Sequence, residues 1–353
     1  MVFDTPFLAG HGARALWVAC KGVTKRRSDP QEKREPSRHY LSVSALSAFL
    51  AESIDDAGLF PPAQLSMIDA LAAHERYEAS PEYWMIGRFI APAARAGELM
   101  QRLESAPHPL STSFVLDGVE SLAHLAVTRD APSVLALEAF ECRFASLPGA
   151  TPDERLRALF EAAHAAGFSR DLPAYVELDA RDTEGLAPAL AALARMRERG
   201  YEACAKLRCG GLTADAAPAP GVVAAFLWEA NRLRVPFKAT AGLHHPVRGF
   251  NEEAGFPMHG FLNVIGGAVL ACARGLDRTT LERLVADENA ASFRLEAERF
   301  AWSGIGADAA EVGQARAQFV HAFGSCSFEE PIADLYALGI LEPQALRPQP
   351  NLR

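Results

Sequence analysis

Short apolar segments alternate with helix-like segments along most of this chain. Seven segments predict strands because β-branched, aromatic and other apolar residues run between turn signals. They cover residues 84–91, 112–117, 134–143, 174–179, 204–208, 235–240 and 324–328. The segment IDD around Asp55 counts as an earlier, first strand. Helical patterns separate most of the eight, and this order predicts a parallel sheet with helical crossovers.

The helical patterns repeat apolar residues with a period near 3.6. Thr151 followed by Glu154 forms a capping box at the start of one helix, and Gly200 closes the next. The predicted helices cover residues 43–53, 63–75, 93–103, 151–166, 185–199, 221–233 and 331–338, with several further pieces between 260 and 321.

Eight strand–helix units predict a (β/α)8 TIM-type barrel with a helical insertion, residues 247–322, before the last strand. A doubly wound open α/β sheet is the alternative, although no GxGxxG or GxxxxGK[ST] phosphate loop occurs. We expect one catalytic domain, residues 41–345, between an N-terminal extension, residues 1–40, and a C-terminal tail, residues 346–353.

Residues 21–39 differ in composition from the rest of the chain. They hold seven Lys or Arg against three acidic residues, without apolar periodicity. This composition predicts a solvated, disordered extension, with a basic docking arm as the alternative.

Composition restricts the classes of partner. The chain has 353 residues, 49% hydrophobic, and a net charge of −9, which argues against general nucleic-acid binding. Its longest apolar run, residues 261–273, is too short to span a membrane, and no signal peptide is evident. This apolar run forms either part of the core, which is favoured, or the face of a dimer. A homo-oligomer is therefore possible.

The six cysteines form no CxxC pair and no zinc-like spacing with histidine. Free thiols in a reducing cytoplasm are therefore expected, which gives a cytoplasmic location. Cys326 is the cysteine of most interest, because it lies in a segment that is predicted to face a loop.

Polar side chains stand at the carboxyl end of nearly every predicted strand, where barrels collect catalytic groups. A purely structural barrel would place Val, Ile and Leu at most of these positions. For several of these residues the alternative to a catalytic role is a structural one, either ion pairing, as between Arg88 and Asp117, or turn capping. The residues are Asp55, Asp56, Arg88, Asp117, Glu141, Glu177, Lys206, Arg208, Lys238, Thr240, Ser325 and Ser327.

Lys206 and Arg208 alternate in ACAKLRCGG and therefore share one face of a strand. Two cations so placed repel unless an anion or a carboxylate lies between them, and Glu177 on the neighbouring strand is the internal partner. Gly210 and Gly211 follow and let backbone N–H groups approach a ligand. The pattern predicts a site for a substrate anion.

Lys238 in FKATAGLHHP lies inside an apolar strand. Burying a lysine there is unfavourable unless its amine is paired with an acid or takes part in catalysis. Nearby cations would favour its neutral form, so Lys238 is predicted to be a Schiff-base nucleophile or a general base. Glu177 or Glu141 would move protons. His244 or His245 would assist in acid–base chemistry or bind a metal ion.

Ser325 and Ser327 in GSCSFEEP precede the last predicted helix, where barrels often bind phosphate. Glu329 and Glu330 at that helix start oppose a phosphate, so a carboxylate or carbonyl substrate remains open. Asn263 is expected to donate a hydrogen bond to the ligand.

The KATAG segment, with Lys206 on an earlier strand, resembles the lysine strand of deoxyribose-phosphate aldolase-like class I aldolases. The resemblance covers about forty residues and implies a Schiff-base lysine, followed by Thr and Gly, with a second lysine nearby. This chain departs from it in the double histidine, in the long insertion, and in placing Lys238 on strand seven rather than six. KATAGLHHP and GSCSFEEP also resemble segments of a bacterial family of barrel-like proteins without an assigned reaction.

The leading hypothesis is therefore a lyase or aldolase acting on a small anionic metabolite, without a cofactor. The second is a divalent-metal enzyme, and the third is a non-catalytic barrel that binds an anionic metabolite. The predicted catalytic residues are Lys238, Glu177, Glu141, His244 and His245. The predicted substrate-binding residues are Lys206, Arg208, Gly210, Gly211, Thr240, Asn263, Ser325, Ser327 and Arg88. The metal ligands of the second hypothesis are Asp55, Asp56, Glu141, Glu177 and His244.

Overall fold

A computed structural model describes residues 44–104, 108–129, 134–252 and 254–342. The predicted extension, residues 1–40, and the predicted tail, residues 346–353, lie outside the described residues.

The strands of the described residues are β1 Ile54–Asp56, β2 Ile86–Pro92, β3 Leu110–Leu116, β4 Leu135–Arg143, β5 Ala174–Leu178, β6 Ala203–Arg208, β7 Phe237–Thr240, β8 Gly249–Asn251, β9 Phe256–Met258, β10 Phe293–Leu295, β11 Arg299–Trp302, β12 Ile305–Asp308 and β13 Val320–Ser325. The helices are α1 Ala45–Leu50, α2 Met67–Glu78, α3 Ala96–Arg102, α4 Leu122–Arg129, α5 Pro152–Ala165, α6 Leu186–Glu198, α7 Pro220–Arg232, α8 Phe261–Arg274, α9 Arg278–Ala286, α10 Ala309–Gln318 and α11 Glu329–Ala337.

Eight of these strands close into a parallel barrel, in the spatial order β1, β13, β7, β6, β5, β4, β3, β2. The predicted (β/α)8 fold is confirmed, and the open doubly wound sheet is wrong. The capping box at Thr151 and Glu154 is present at the start of α5. Helix α4, which connects β3 to β4, is absent from the sequence prediction.

The last barrel strand lies earlier than predicted, because β13 ends at Ser325 while the prediction extended to residue 328. His321 interrupts the apolar run VHAF and hides the true start of the strand. Residues 326–328 instead lead into α11.

The insertion before β13 is not purely helical, which corrects the prediction. It contains the hairpin β8–β9 and a three-stranded antiparallel sheet, β10–β11–β12. Ser303 and Gly304, with φ of 46° and 85°, form the two-residue turn between β11 and β12. Two consecutive residues with positive φ are the signature of a tight hairpin. The strands of this sheet have only three or four residues, which is too short for a clear alternation.

Helix α8 is the buried centre of the insertion. Its first eleven residues are all buried, and it packs against α7, α9 and α10. A helix that is apolar on all sides belongs inside a protein, so residues 261–271 form core, while Cys272 is exposed. No helix in the described ranges has the length and apolar character needed to cross a membrane.

Two adjacent glycines in α8 give a matched test of this packing. A Cβ on Gly266 would lie 2.2 Å from the ring of Phe300, whereas a Cβ on Gly267 would lie 3.3 Å from Leu227 and Leu284. We expect Gly266→Ala to lower the free energy of unfolding by about 1–3 kcal/mol through overpacking. Gly267→Ala should be neutral or stabilising by up to about 1 kcal/mol, because alanine favours the helix. Urea unfolding of both variants measures the difference, and equal effects would contradict the close approach of Phe300.

Candidate active site

Strand alternation turns two lysines toward the barrel interior. Lys206 of β6 lies directly beside Lys238 of β7, and Glu177 of β5 lies on the other side of Lys206. Neighbouring strands are about 4.8 Å apart, so side chains at matched positions on one face meet. The shared face of Lys206 and Lys238 follows from this register.

Lys238 is enclosed between two carboxylates. Its Nζ lies 2.5 Å from Oδ2 of Asp55 and 2.7 Å from Oε1 of Glu141. Only 1% of the Lys238 side chain is exposed, and its Nζ lies 5.6 Å from the centre of the Tyr175 ring. The amine is therefore paired and has little access to solvent.

Lys206 shares one of these carboxylates and contacts another. Its Nζ lies 2.9 Å from Oε2 of Glu141 and 3.1 Å from Oε2 of Glu177. Arg208 continues the line, with Nε 3.1 Å from Oε1 of Glu177. Three cations and three carboxylates thus alternate with zero net charge, in the order Asp55, Lys238, Glu141, Lys206, Glu177, Arg208. We call these six residues the charge relay cluster.

The charges within this cluster stabilise one another. Burial raises the pKa of Glu141, but Lys206 and Lys238 lower it by more, so the pKa is well below its usual range. Burial lowers the pKa of Lys206, but Glu141 and Glu177 raise it by more. The expected repulsion between the two lysines is therefore compensated, because Glu141 lies between their ammonium groups.

Further hydrogen bonds hold the carboxylates in place. The Ser113 hydroxyl donates to Oε1 of Glu141 at 3.0 Å, and the backbone N–H of Arg88 donates to Oδ1 of Asp55 at 2.8 Å. The sequence analysis missed Ser113. The only local signal is the alternation in LSTSF, which puts Ser111 and Ser113 on one face of the strand.

Tyr175 and His321 form a second pair in the barrel, also missed from the sequence. The Tyr175 hydroxyl lies 2.8 Å from Nδ1 of His321. Burial, together with Arg316 and Arg88, lowers the pKa of His321 to about 3, and burial raises the pKa of Tyr175. A neutral phenol and a neutral imidazole therefore share this hydrogen bond. Tyr175 shares its strand face with Glu177, which was the available signal.

Arg88 lies near the start of its strand, and not at the carboxyl end to which the prediction assigned it. It is the third residue of β2, and its Nε is 3.2 Å from Oε2 of Glu138. Glu138 is the extra residue where the β3–β4 register shifts, because Thr112 pairs with Leu137 and Ser113 pairs with Ala139. The guanidinium of Arg88 thus serves an ion pair at the bulge rather than the predicted substrate site.

A cavity of about 490 Å³ lies over the carboxyl ends of β4, β5 and β6, with Glu177 and Arg208 in its wall. Arg155 in the wall donates to the carbonyls of Gly149 and Phe144. Arg143 is paired in register with Glu177, and its guanidinium has no hydrogen-bond or ion-pair partner within the described ranges. Arg143 is therefore a cation that is free to bind an anion in this cavity.

The predicted glycines serve loop packing rather than ligand approach. A Cβ on Gly210 would lie 3.0 Å from Cα of Gly242, which has a φ of +74°. A Cβ on Gly211 would lie 2.5 Å from Cβ of Ala216. The loops after β6 and β7 can approach each other only because these residues lack side chains. Thr240 ends β7 beside Arg208 and accepts a backbone hydrogen bond from Cys209.

Asp56 and Asn263 have structural partners outside the barrel interior. Asp56 accepts from the backbone N–H of Gly58 at 3.0 Å and lies 2.9 Å from Nδ1 of His74 on α2. Asn263 donates to the carbonyls of Leu284 and Asp287 and accepts from the backbone of Arg248. The ligand role predicted for Asn263 is therefore wrong.

Ser325 and Ser327 shape the turn between β13 and α11. The Ser325 hydroxyl donates to the carbonyl of Ser327 at 2.6 Å, and the Ser327 hydroxyl accepts from the N–H of Glu330 at 3.2 Å. These bonds use the hydroxyls that the sequence analysis assigned to a substrate.

The two histidines are bound by acids of α11. Nδ1 of His244 lies 2.7 Å from Oε2 of Glu330, and Nδ1 of His245 lies 2.6 Å from Oδ2 of Asp334. Within the described part of the chain, neither histidine makes a hydrogen bond or ion pair with the charge relay cluster. Asp55, Glu141 and Glu177 are brought together by the fold, while His244 and His245 have a separate position at the barrel mouth.

The described residues contain no group of three or more His, Cys, Asp or Glu side chains that could hold a metal ion. Asp55, Glu141 and Glu177 of the alternative ligand set are occupied by Lys238, Lys206 and Arg208. Asp56 and His244 have the other partners named above. The fold thus does not assemble this ligand set.

A scan of the sequence against models of protein families matches no family, and a search of curated proteins finds no match.

Proposed function

We propose that this barrel is an enzyme of the lyase or aldolase type that forms a Schiff base with a small anionic carbonyl compound. The charge relay cluster carries the proposal, since two lysines and three carboxylates inside a barrel leave proton donors and acceptors next to a primary amine. A lysine and paired carboxylates are the groups that imine formation and proton transfer require.

The geometry favours Lys206 over Lys238 as the nucleophile. Lys206 contacts Glu177, which lines the cavity, whereas Lys238 contacts Asp55 and Glu141, both less exposed than Glu177. The resemblance to class I aldolases is carried by KATAG and matches Lys238 to the Schiff-base lysine, but in that family this lysine lies on the sixth strand. Here the sixth strand carries Lys206. Lys238 then acts as the fixed cation that holds Glu141 ionised.

The proposed reaction begins with a proton transfer, because the pKa of Lys206 is raised and the resting amine is charged. Lys206 gives a proton to Glu177 or Glu141, and the neutral amine attacks the carbonyl carbon. The carbinolamine then takes a proton on oxygen and loses water, which leaves an iminium ion. The same carboxylates remove a proton from the adjacent carbon or return one to it.

The anionic group of the substrate would bind Arg143, with Arg208 beside it. Arg143 has no side-chain partner among the described residues, and Arg208 is 47% exposed. A guanidinium binds a carboxylate or a phosphate through two parallel hydrogen bonds. Arg143 is in register with Glu177, and Glu177 with Lys206, so Arg143 lies two strands from the proposed nucleophile.

Borohydride trapping tests this function. The protein is incubated with pyruvate or glycolaldehyde phosphate, reduced, digested, and mapped by mass spectrometry. We expect a reduced adduct on Lys206, formed more readily than with the uncharged controls methyl pyruvate and glycolaldehyde. An adduct on Lys238 would make Lys238 the nucleophile and Lys206 the cation that remains charged. Labelling confined to the other lysines of the chain, Lys21, Lys25 and Lys33, or equal labelling by charged and uncharged compounds, would contradict the proposal.

A further inference from the structure

A cysteine, a histidine and a glutamate form a line at the barrel mouth, outside the charge relay cluster. Cys326 follows β13, His244 lies in the loop after β7, and Glu330 belongs to the first turn of α11. Sγ of Cys326 lies 3.8 Å from Nε2 of His244, and Nδ1 of His244 lies 2.7 Å from Oε2 of Glu330. The three side chains thus contact one another in series.

This order of contacts matches the roles in a nucleophilic triad. A carboxylate that accepts from Nδ1–H fixes the tautomer of the imidazole, so that Nε2 has a lone pair directed at the nucleophile. His244 has Glu330 on one ring nitrogen and Cys326 on the other. Cys326 is only partly buried, so a substrate can reach its sulphur.

The surroundings of Cys326 indicate how it would react. Burial raises the pKa of the Cys326 thiol and Glu330 raises it further, while the backbone N–H groups of Ala63 and Cys326 lower it. The resting thiol is therefore protonated and needs a base at the moment of attack.

We propose that Cys326 is a nucleophile in acyl transfer, with His244 as general base and Glu330 as the residue that positions His244. The thiol proton moves to Nε2 of His244 as the sulphur–carbon bond forms. The carbon–oxygen or carbon–sulphur bond to the leaving group then breaks, and His244 protonates that group. Water hydrolyses the resulting thioester by the reverse sequence.

The substrate class follows from local charge. Glu329, Glu330 and Asp334 lie on α11 near this line of residues, and they disfavour an anionic acyl group. The structure therefore assigns an uncharged or cationic ester or thioester. This activity is independent of Lys206 and of the Schiff base.

Acylation by p-nitrophenyl acetate tests the proposal. We expect a burst of about one equivalent of p-nitrophenol per chain, with the acetyl group on Cys326 by peptide mapping, because an acylated nucleophile accumulates before hydrolysis. Cys272 is a control within the same molecule, because burial raises the pKa of its thiol too, but Cys272 is exposed and has no histidine partner in the described ranges. Faster acetylation of Cys272 than of Cys326 would overturn the proposal.

Two variants separate general-base catalysis from simple exposure. His244→Asn should slow acetylation of Cys326 by at least about 10²-fold and leave Cys272 unaffected. Glu330→Gln should slow it by a smaller factor, because the imidazole remains but is less firmly oriented. Iodoacetamide, used alongside the ester, reports whether the thiol stays accessible in each folded variant. An unchanged acetylation rate of Cys326 in His244→Asn would refute the role of the histidine. If His244→Asn does not fold, the burst rate of Glu330→Gln is the test, and an unchanged rate there would refute the role of Glu330 in positioning His244.

Discussion

Replacing Glu141 with glutamine is expected to lower the free energy of unfolding by about 3–5 kcal/mol at neutral pH. Glu141 is the carboxylate between Lys206 and Lys238, and only 2% of its side chain is exposed. Its removal leaves three cations and two carboxylates in the charge relay cluster. A buried charge without its partner loses the attraction that offset its desolvation.

Urea unfolding measures this loss, and Glu98→Gln is the matched control. Glu98 also forms an ion pair, in this case with Arg95, but both side chains are more than a third exposed. An exposed pair contributes below about 1 kcal/mol. Equal losses in the two variants would contradict the account of Glu141 as the carboxylate shared by two lysines.

A double variant tests whether the loss comes from unbalanced charge. Glu141→Gln combined with Lys206→Met leaves two complete pairs, Lys238 with Asp55 and Arg208 with Glu177. We expect the double variant to be more stable than Glu141→Gln alone. If the two substitutions were simply additive, the alternating charges would not be coupled.

The pH dependence has a definite sign. The pKa of Glu141 is lower in the folded than in the unfolded protein, so its stabilisation is present above the unfolded pKa of about 4.3. It is lost as pH falls from there toward the folded pKa. The difference in stability between wild type and Glu141→Gln should therefore stay constant from pH 6 to about 8 and shrink below about pH 4.

Much of the barrel could be predicted because most strands are short, mainly apolar segments bounded by turn residues. The alternation in ACAKLR and AYVEL was enough to put Lys206, Arg208 and Glu177 on one face. The position of Glu141 between Lys206 and Lys238 was not predictable, since it depends on strand order and on the stagger around the closed barrel. Local patterns carry no information on such distant contacts.

The same limit explains the residues whose predicted roles were wrong. Asn263 and Ser325 are polar residues in apolar surroundings, and the sequence cannot distinguish a ligand donor from a donor to a distant carbonyl. His244 and Glu330 are 86 positions apart, so their contact follows only from the folded chain. A polar residue at a strand end therefore does not by itself indicate a ligand site.

Replacing Lys206 with arginine should reduce the borohydride-trapped adduct to background while keeping the protein folded. Arginine retains a positive charge between Glu141 and Glu177, so the alternation of charges in the cluster is preserved. Its guanidinium cannot give up a proton near neutral pH and does not form the proposed imine. The larger side chain should lower the free energy of unfolding by about 1–3 kcal/mol through overpacking.

The comparison that decides between the lysines uses Lys206→Arg and wild type under identical trapping conditions. Mass spectrometry reads the adduct at each lysine, and circular dichroism confirms that the variant is folded. Loss of the adduct in a folded variant assigns imine formation to Lys206, because the positive charge that arginine retains does not restore the reaction. Persistence of an adduct on Lys238 would make Lys206 the fixed cation and Lys238 the nucleophile. If wild type itself carries no adduct on Lys206 or Lys238, the cluster is a purely structural ion network, since its six charges already balance without a ligand.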